Sequence, residues 1–428
     1  MKIGIIGLGY VGLPLVIQFA KSGAEVLGLD LDLAKVEAIN RGESYIKHVP
    51  SSALREQVET GRLAATESFA RVQELEAVLI CVPTPLNEQR EPDLSYVLDT
   101  GRAIAPHLSE GVVVILESTT YPGTTEDELR PVLEGGSGLK AGTDFHLAYS
   151  PEREDPANTE NRVGCVPKVI GGYTPACLEK AQAVYRPAIE TLVPVSSCRV
   201  AEASKLLENI YRSVNIALVN ELKLIYHKMG IDIWEVIEAA KTKPFGFTPF
   251  YPGPGLGGHC IPIDPFYLSW KAREHGIPTR FIELAGEINR AMPQHVVGRC
   301  VEALNEAGKP VKGSRILLLG LAYKPDVDDC RESPTFAVMD ELEKLGAKIF
   351  YYDSFVPKIP DTREHAERAG LKSVEWNEAS IRKNDLAVIL TAHSGVDYQQ
   401  LADWSSAVVD TRNAMAGVRP DDLNIWKA

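Results

Sequence analysis

The sequence predicts an α/β protein in which two doubly wound, Rossmann-like parallel-sheet domains are joined by a helical central region that contains a long helix. Short apolar, β-rich runs alternate with amphipathic helical patterns from residue 1 to about 195. The strand signal then disappears as far as residue 299 and returns after Gly313. Apolar strands that alternate with helices are typical of parallel sheets covered on both faces. We therefore expect domains at 1–200, 201–312 and 313–428.

Ten runs are the candidate strands. The first domain has KIGIIG, AEVLGLD, AVLICVP, GVVVILEST, HLAYSP and PKVIGG, and we expect these strands to be parallel. The last domain has RILLLG, KIFYYD, LAVILT and AVVDTR. Between them, the periodic stretches 204–229 and 281–304 predict long helices.

Composition limits the class of partner. The 428 residues carry a net charge of −13, which argues against nucleic acid or an anionic membrane as the main partner. Seven scattered cysteines, with no Cys-x-x-Cys pair and no ligand-like Cys/His spacing, indicate a reducing compartment and no metal site. A strand pattern that begins at Lys2 leaves no room for a signal peptide, and no apolar run approaches the ~18 residues of a membrane span. We expect a cytoplasmic protein.

A glycine-rich turn after the first strand predicts a dinucleotide site. The motif G-x-G-x-x-G at 7–12 opens a helix, and Asp30 ends the next strand. Glycines allow a pyrophosphate to approach the helix N-terminus, and the carboxylate can accept hydrogen bonds from the adenine-ribose hydroxyls while repelling a 2′-phosphate. NAD is therefore expected rather than NADP, although the motif alone is also compatible with an empty turn. The expected contacts are Gly7, Gly9, Tyr10, Val11, Gly12, Asp30 and Lys35, the last of which is equally compatible with a solvated lysine.

Three further loops follow predicted strands, at the sheet edge where ligands of open α/β sheets gather. They are CVPTP at 81–85, ESTT at 117–120 and SPEREDP at 150–156. Ordinary turn and capping chemistry would produce similar sequences. The candidates are Pro83, Thr84, Ser118 and Thr119 for the cofactor and Glu152 as a general base.

The run GPGLGGHCIPID at 253–264 presents one thiol on a glycine-rich loop, with Asp264 four residues after it. A thiolate adds readily to a carbonyl carbon, and neighbouring glycines admit a bulky ligand, so Cys260 is a candidate nucleophile. A buried structural cysteine is the alternative. Lys205 and Asn209 lie four residues apart on one helix face, where they are either donors to an oxyanion or solvated helix positions.

Together these motifs resemble the UDP-sugar 6-dehydrogenases, the family of UDP-glucose dehydrogenase. The segments that occur in the family's order are GLGYVG, CVPTP, ST, SPEREDP, AEASKLLEN, GPGLGGHCIPIDP, GLAYKPDVDDCRESP and VVDTR, and they cover essentially the whole chain. The resemblance implies two NAD-dependent hydride transfers from C6 of a nucleotide sugar, a homodimer or higher homo-oligomer, and a C-terminal domain that binds UDP.

The resemblance also implies roles for individual residues. Cys260 would add to the C6 aldehyde and carry it through a second oxidation to a thioester, which water hydrolyses. By the same resemblance, Lys205 and Asn209 stabilise the C6 oxyanion, Asp264 orients water or assists the thiol, and Glu152 with Thr119 forms a base-and-water pair. The implied substrate contacts are Glu152, Arg153, Lys205, Asn209, Phe250, Tyr251, Gly253, Gly257, Tyr323, Lys324 and Arg412, and Arg331 is implied to reach the cofactor; surface salt bridging is the alternative for Lys324 and Arg331.

Two departures from the usual pattern concern the substrate. UDP-glucose dehydrogenases usually have SPEFL and C-x-x-K-D, whereas this chain has SPEREDP and HCIPID. It resembles instead the branch that acts on N-acetylated sugars, most closely the UDP-N-acetylglucosamine 6-dehydrogenases that supply surface polysaccharides. UDP-N-acetylmannosamine, UDP-N-acetylgalactosamine and UDP-glucose are the alternative substrates. A simple hydroxyacid dehydrogenase would not need Cys260, and a non-enzymatic NAD-binding protein would have no use for Cys260 together with Lys205 and Asn209.

Overall fold

The structure is a computed structural model in which the chain divides into two compact units. One unit comprises Met1–Glu208 and Phe266–Pro278, and the other comprises Asn209–Pro265 and Thr279–Ala428. The helical middle of the chain is thus shared between the two units, and the boundaries expected at residues 200 and 312 stay predictions. The described residues are 1–46, 49–87, 91–153, 164–258, 261–361, 365–418 and 424–428.

An eight-stranded sheet forms the centre of the first unit. Its strands are β1 (Lys2–Ile6), β2 (Glu25–Leu29), β3 (Leu63–Thr66), β4 (Ala77–Ile80), β5 (Val113–Leu116), β6 (His146–Tyr149), β7 (Lys168–Gly172) and β8 (Leu192–Val195), in the order β3-β2-β1-β4-β5-β6-β7-β8. Neighbouring strands are parallel except β6 and β7, which are antiparallel. The expectation that all six predicted strands are parallel is therefore wrong at β7, because a buried apolar strand has the same sequence signature in either direction.

Both faces of this sheet are buried. In β4, Ala77 and Leu79 belong to one apolar cluster, and Val78 and Ile80 belong to another on the opposite face. This alternation is expected when helices cover both faces of a sheet. The helices of the unit are α1 (Gly12–Lys21), α2 (Leu33–Asn40), α3 (Ser51–Glu59), α4 (Ser95–Ile104), α5 (Arg130–Ser137), α6 (Pro175–Tyr185), the start of α7 (Cys198–Lys228) and most of α9 (Asp264–Glu274).

The second unit has a five-stranded, fully parallel sheet. Its strands are β9 (Arg315–Leu319), β10 (Lys348–Tyr352), β11 (Leu386–Ile389), β12 (Ala407–Asp410) and β13 (Asn424–Lys427), in the order β10-β9-β11-β12-β13. Besides the rest of α7, its helices are α8 (Ile233–Ala240), α10 (Arg280–Glu306), α11 (Pro334–Lys344), α12 (Glu378–Ile381) and α13 (Tyr398–Trp404). The four predicted strands and both long central helices are confirmed. Within the described part of the chain, no helix has the length and apolar character needed to span a bilayer.

One carboxylate holds the loop that follows β9. Asp353 comes directly after β10, its side chain is 0% exposed, and Nε2 of His393 lies 3.0 Å from its Oδ2. Burial alone would raise the pKa of Asp353, but the hydrogen bonds to this carboxylate outweigh burial and lower it. Its oxygens also accept hydrogen bonds from four backbone N–H groups, those of Leu321, Ala322, Phe355 and Val356.

We expect Asp353→Ala to destabilise the second unit by about 3 kcal/mol or more, because buried donors that lose their acceptor cost about 1–3 kcal/mol each. Urea unfolding followed by tryptophan fluorescence measures the change. Asp361→Ala, at an exposed position of the same unit, is the control. A loss no larger than that of the control would contradict the role given to Asp353.

Candidate functional site

The glycine turn in the first unit has the close backbone packing that a dinucleotide turn requires. Gly7 has a φ of 89°, and its N–H donates to the carbonyl of Leu29 at 2.9 Å. A Cβ at Gly7 would lie 2.7 Å from the carbonyl oxygen of Cys81, and one at Gly12 would lie 1.9 Å from the carbonyl oxygen of Gly7. Only glycine fits at these two positions. The start of α1 is therefore held directly against the end of β1.

The rest of the turn leaves room for a ligand. A Cβ at Gly9 would meet no atom within 4 Å, and Tyr10 is 38% exposed. Val11 is half-buried and gives the start of α1 no side-chain cap. A helix start without a side-chain cap, beside a glycine that faces open space, suits a diphosphate.

Asp30 lies at the carboxyl end of β2, beside the same turn. Its Oδ2 accepts a hydrogen bond from the N–H of Leu8 at 2.9 Å, and its Oδ1 accepts one from the N–H of Asp32 at 3.0 Å. Nζ of Lys35 lies 3.4 Å from Oδ2, so the structure brings these two predicted residues together. Each carboxylate oxygen can accept a further hydrogen bond, and the side chain is 12% exposed. The residues of this turn thus fit an adenine ribose.

Two hydroxyl groups join the loops that follow β4 and β5. Oγ1 of Thr84 donates to the carbonyl of Thr119 at 2.6 Å, and Oγ of Ser118 donates to the carbonyl of Val82 at 2.6 Å. These bonds use the hydroxyl hydrogens, so both side chains can offer a cofactor only their lone pairs. Pro83 is exposed and Thr119 is half-buried.

A buried lysine that the sequence analysis missed lies beside Glu152. Lys168 begins β7, and its Nζ is 2.9 Å from Oε2 of Glu117 and 3.4 Å from Oε2 of Glu152. The side chain of Glu117 is 0% exposed and also accepts a hydrogen bond from the hydroxyl of Tyr185. Burial lowers the pKa of Lys168, but the two carboxylates outweigh burial and raise it, so the ammonium stays charged. A lysine within the apolar run PKVIGG was the available signal, because a buried charge needs a partner.

The loop after β6 is held by its arginine. Arg153 pairs with Glu208 at 2.7 Å, and its Nη1 donates to the carbonyl of Pro167 at 2.6 Å. Its backbone N–H donates to Oε1 of Glu152 at 2.7 Å. Lys205, which lies three residues before Glu208 on α7, is 7% exposed. Glu152 is thus fixed from two sides, by Lys168 and by the backbone of Arg153.

The second unit brings together two of the predicted catalytic residues. Nδ2 of Asn209 donates to Oδ2 of Asp264 at 2.5 Å, and both side chains are buried. Arg212 donates to the amide oxygen of Asn209, which orients the amide so that its nitrogen faces the carboxylate. Cys260 and the preceding His259 lie outside the described residues, so the nucleophile stays a prediction.

The glycine run that precedes Cys260 packs against the C-terminal sheet's loops. A Cβ at Gly253 would lie 2.4 Å from Nη1 of Arg412, and one at Gly257 would lie 2.6 Å from Cβ of Tyr323. The N–H of Gly253 donates to Oδ1 of Asn220 at 3.0 Å. Absence of side chains at these glycines therefore lets predicted substrate residues approach the loop backbone.

Two aromatic residues that precede this run are also held in the second unit. Phe250 contacts Tyr211 edge to face, with ring centroids 5.5 Å apart. Tyr251 stacks on Trp234 at 5.7 Å, and its hydroxyl donates to Glu238 at 3.0 Å. The loop is thus anchored to α7 through one ring and to α8 through the other.

The loop after β9 carries the remaining predicted cations. Lys324 is half-buried, and Arg331 pairs with Asp329 at 2.7 Å while its side chain stays 40% exposed. The carbonyl of Arg331 also accepts a hydrogen bond from the N–H of Gly258 at 3.2 Å. Among the described residues, no group of three or more His, Cys, Asp or Glu side chains is arranged to hold a metal ion.

Family models match the chain in three consecutive segments. The NAD binding domain of the UDP-glucose/GDP-mannose dehydrogenase family matches residues 1–189, its central domain matches 199–291, and its UDP binding domain matches 317–417. The chain belongs to the UDP-glucose/GDP-mannose dehydrogenase family. The predicted family, the NAD cofactor and the oxidoreductase class are confirmed, and the protein is an NAD-dependent nucleotide-sugar dehydrogenase.

The names of similar proteins give different sugars. A UDP-N-acetyl-D-glucosamine 6-dehydrogenase of Pseudomonas aeruginosa is 38% identical over 357 residues, 83% of this chain and 83% of that protein. An NDP-N-acetyl-D-galactosaminuronic acid dehydrogenase of Ralstonia nicotianae is 35% identical over 437 residues, 100% of this chain and 96% of that protein. The solved structure of a UDP-D-ManNAc dehydrogenase from Pyrococcus horikoshii is similar with a TM-score of 0.90 and 32% identity, covering 100% of this chain and 99% of that one.

We expect Lys168→Met to lower kcat by about 10²-fold, since Glu152 loses the cation that fixes it and positioned acid–base groups typically contribute that much. Lys168→Arg, which keeps the charge, should retain more activity than Lys168→Met. Steady-state kinetics with NAD and a UDP-sugar measure both variants.

Two controls accompany this measurement. Lys180→Met removes an exposed lysine of the same unit and should leave kcat unchanged. Glu117→Gln combined with Lys168→Met removes both charges of the buried pair and should recover thermal stability without recovering kcat. Equal kcat in Lys168→Met and wild type would contradict the role given to Lys168 in positioning Glu152.

Proposed function

We propose that this enzyme oxidises the C6 hydroxyl of UDP-N-acetylglucosamine to the carboxylate, with two NAD per sugar, for surface polysaccharide synthesis. The observation that carries the proposal is the buried hydrogen bond between Asn209 and Asp264. This bond fixes the carboxylate of Asp264, which begins α9 four residues after the predicted nucleophile and its glycine-rich loop. A simple dehydrogenase would need neither the thiol nor this arrangement, because a single oxidation has no aldehyde to hold.

The proposed chemistry proceeds by two oxidations and one hydrolysis. NAD supplies a hydride acceptor for each oxidation. In the first, C6 loses a hydride and its hydroxyl loses a proton, which gives an aldehyde. The thiolate of Cys260 then adds to the aldehyde, so that loss of the second hydride gives a thioester, and water cleaves the C–S bond to release the acid and the thiol.

The remaining roles follow from charge and donor chemistry. The Lys205 ammonium and the Asn209 amide are the proposed donors to the oxygen on C6, which carries negative charge in the thiohemiacetal. Asp264 orients water or assists the thiol, and Glu152 with Thr119 is the proposed base-and-water pair. Support for Glu152 comes from its contacts in the first unit, since the Lys168 ammonium and a backbone N–H hold its carboxylate in place.

The choice of sugar is supported by the loop that contains Arg153. The guanidinium of Arg153 pairs with Glu208, at a position where the SPEFL pattern has an apolar residue. This part of the proposed sugar site is therefore charged and can accept or donate hydrogen bonds. The named relatives act on N-acetylated sugars of three configurations, which makes UDP-N-acetylmannosamine and UDP-N-acetylgalactosamine the main alternatives and UDP-glucose a weaker one. Single stereocentres separate these substrates, and one or two contacts decide between them.

We also propose a homodimer or higher homo-oligomer in the cytoplasm. On α7, Tyr211, Leu218 and Ile225 recur every seven residues and are each about half exposed, at 48%, 49% and 47%. Such a spacing places them on one helix face, and an apolar row of this kind suits a partner subunit. None of the six cysteines that the structure describes forms a disulfide, which supports a reducing compartment.

We expect wild-type enzyme to release two NADH for each sugar oxidised, and Cys260→Ser to stop before the acid, because a serine hydroxyl does not form the thioester. Absorbance at the NADH band, together with mass spectrometry of the sugar, measures both. Cys165→Ser, at an exposed position, is the control. Full acid-forming turnover by Cys260→Ser would sink the proposed mechanism.

The substrate is tested by kcat/KM across four UDP-sugars, namely UDP-N-acetylglucosamine, UDP-N-acetylmannosamine, UDP-N-acetylgalactosamine and UDP-glucose. We expect UDP-N-acetylglucosamine to give the highest value, by about tenfold or more over its epimers. A higher value for any other sugar would reassign the substrate while leaving the reaction class unchanged.

A further inference from the structure

A cavity of about 210 Å³ in the second unit is lined by residues to which neither the cofactor nor the sugar has been assigned. Its basic lining residues come from three elements: Lys223 and His227 from α7, His295 from α10 and Lys427 from β13. The acidic side chain in its lining is Asp232, which forms an ion pair with Lys427. The lining therefore has three basic side chains beyond the Asp232–Lys427 ion pair, and it also includes Ala428, the last residue of the chain.

Lys223 is the most buried of these groups. It is 5% exposed, and its Nζ donates to the carbonyl of Gly253 at 3.4 Å, a long bond. Within the described residues it forms no ion pair with a carboxylate. Burial, and then repulsion by Arg412, lower the pKa of Lys223 to about 7, against a smaller opposing effect of Asp410. A cation in this position therefore has only the partial compensation of Asp410, with no carboxylate among the described residues in direct contact.

The two histidines, like Lys223, have no carboxylate in direct contact among the described residues. Their ring centroids are 6.3 Å apart, and neither ring hydrogen-bonds to another described residue. Burial, followed by repulsion from Lys223 and His227, lowers the pKa of His295 to about 4. His227 is exposed, and its partial burial together with Arg299 lowers its pKa, with Glu302 as the opposing charge. The groups around the cavity repel one another's positive charge, and an anion between them would relieve that repulsion.

The start of α8 adds a further positive contribution. Ile233 and Trp234, in its first turn, line the cavity. The helix has 8 residues, and the side chain of Asp232 accepts a hydrogen bond from the N–H of Trp234 at 3.0 Å. The other N–H groups of the first turn give this end of the helix a partial positive charge. The cavity is also several times larger than the ~30 Å³ that one water molecule takes up.

We propose that this cavity binds a phosphate-type oxyanion, either free phosphate or a phosphate monoester, and that the bound anion changes the affinity of the enzyme for its UDP-sugar. Two contacts connect the cavity to the loop at 250–258. Lys223 donates to the carbonyl of Gly253, and Trp234 stacks on Tyr251. The effect on the UDP-sugar rests on the substrate role that the proposed function gives to this loop. An anion that draws the Lys223 ammonium into the cavity would loosen the bond to Gly253.

The binding step is tested by NMR titration of the histidine Cε1–H signals of the full-length enzyme with inorganic phosphate, in saturating UDP, which blocks the diphosphate site. We expect phosphate to raise the pKa of His295 and His227 by about one unit or more. Lys223→Met, an apolar replacement of similar length, should remove most of that rise, and His295→Asn should reduce it at His227. Lys383→Met, at an exposed position of the same unit, should leave it intact.

Glycerol 3-phosphate, used in place of phosphate, distinguishes the two sources of the oxyanion, because a cavity that is specific for free phosphate would give no shift with the monoester. The regulatory step is tested by the KM for the UDP-sugar with and without phosphate at equal ionic strength. We expect a change of twofold or more in wild type and in Lys383→Met, and a smaller one in Lys223→Met.

The binding site would be overturned if phosphate failed to shift the histidine pKa values in wild type. It would also be overturned by an equal shift in Lys223→Met, or by a shift that UDP abolishes. An unchanged KM would overturn the regulatory effect. Because the NMR titration needs no turnover, failure of the proposed sugar oxidation would leave its result unaffected.

Discussion

In both units, one aspartate at the end of the second strand holds the loop that follows the first strand. Asp30 accepts a hydrogen bond from the N–H of Leu8, and Asp353 accepts from the N–H groups of Leu321 and Ala322. The two carboxylates differ in what else they meet. Asp353 is fully buried and is also engaged by a histidine ring, whereas Asp30 is partly exposed beside Lys35. The carboxylate of Asp30 is therefore accessible to a ligand, whereas the carboxylate of Asp353 is enclosed by its protein partners.

Burial alone lowers the pKa of both buried lysines, but neighbouring charges shift their final pKa values in opposite directions. Lys168 lies between two carboxylates, which raise its pKa, so it is a permanent cation that positions Glu152. Lys223 has no such partner, and burial with Arg412 lowers its pKa to about 7. A buried ammonium is stable only with compensating charge. Protein side chains supply that charge in the first case, and in the second it is left for a ligand.

The sequence predicted those parts of the fold and the site whose signals are local. The turn at 7–12 with Asp30, and most strands, are of this kind. Close packing requires glycines in the turn, and burial on both faces gives a strand a continuous apolar run. The strands β3, β8 and β13 lie outside the predicted runs, and β8 was missed because LVPV is short and contains Pro194. The antiparallel direction of β7 was missed because direction depends on the connection. Lys168 and Lys223 were missed because their contacts lie 51 and 30 residues away in the sequence.

Gly253 lies against two cations, Arg412 and Lys223. Because it has no side chain, the guanidinium of Arg412 lies against its backbone, while Lys223 approaches its carbonyl. Burial lowers the pKa of Arg412 to about 10 against an opposing effect of Asp410, and the charge of Arg412 in turn disfavours the charge of Lys223. A diphosphate that pairs with Arg412 would reduce this repulsion and make protonation of Lys223 easier. By linkage, protonation of Lys223 would then change diphosphate affinity by the same factor, which would couple the two sites energetically without any change of fold.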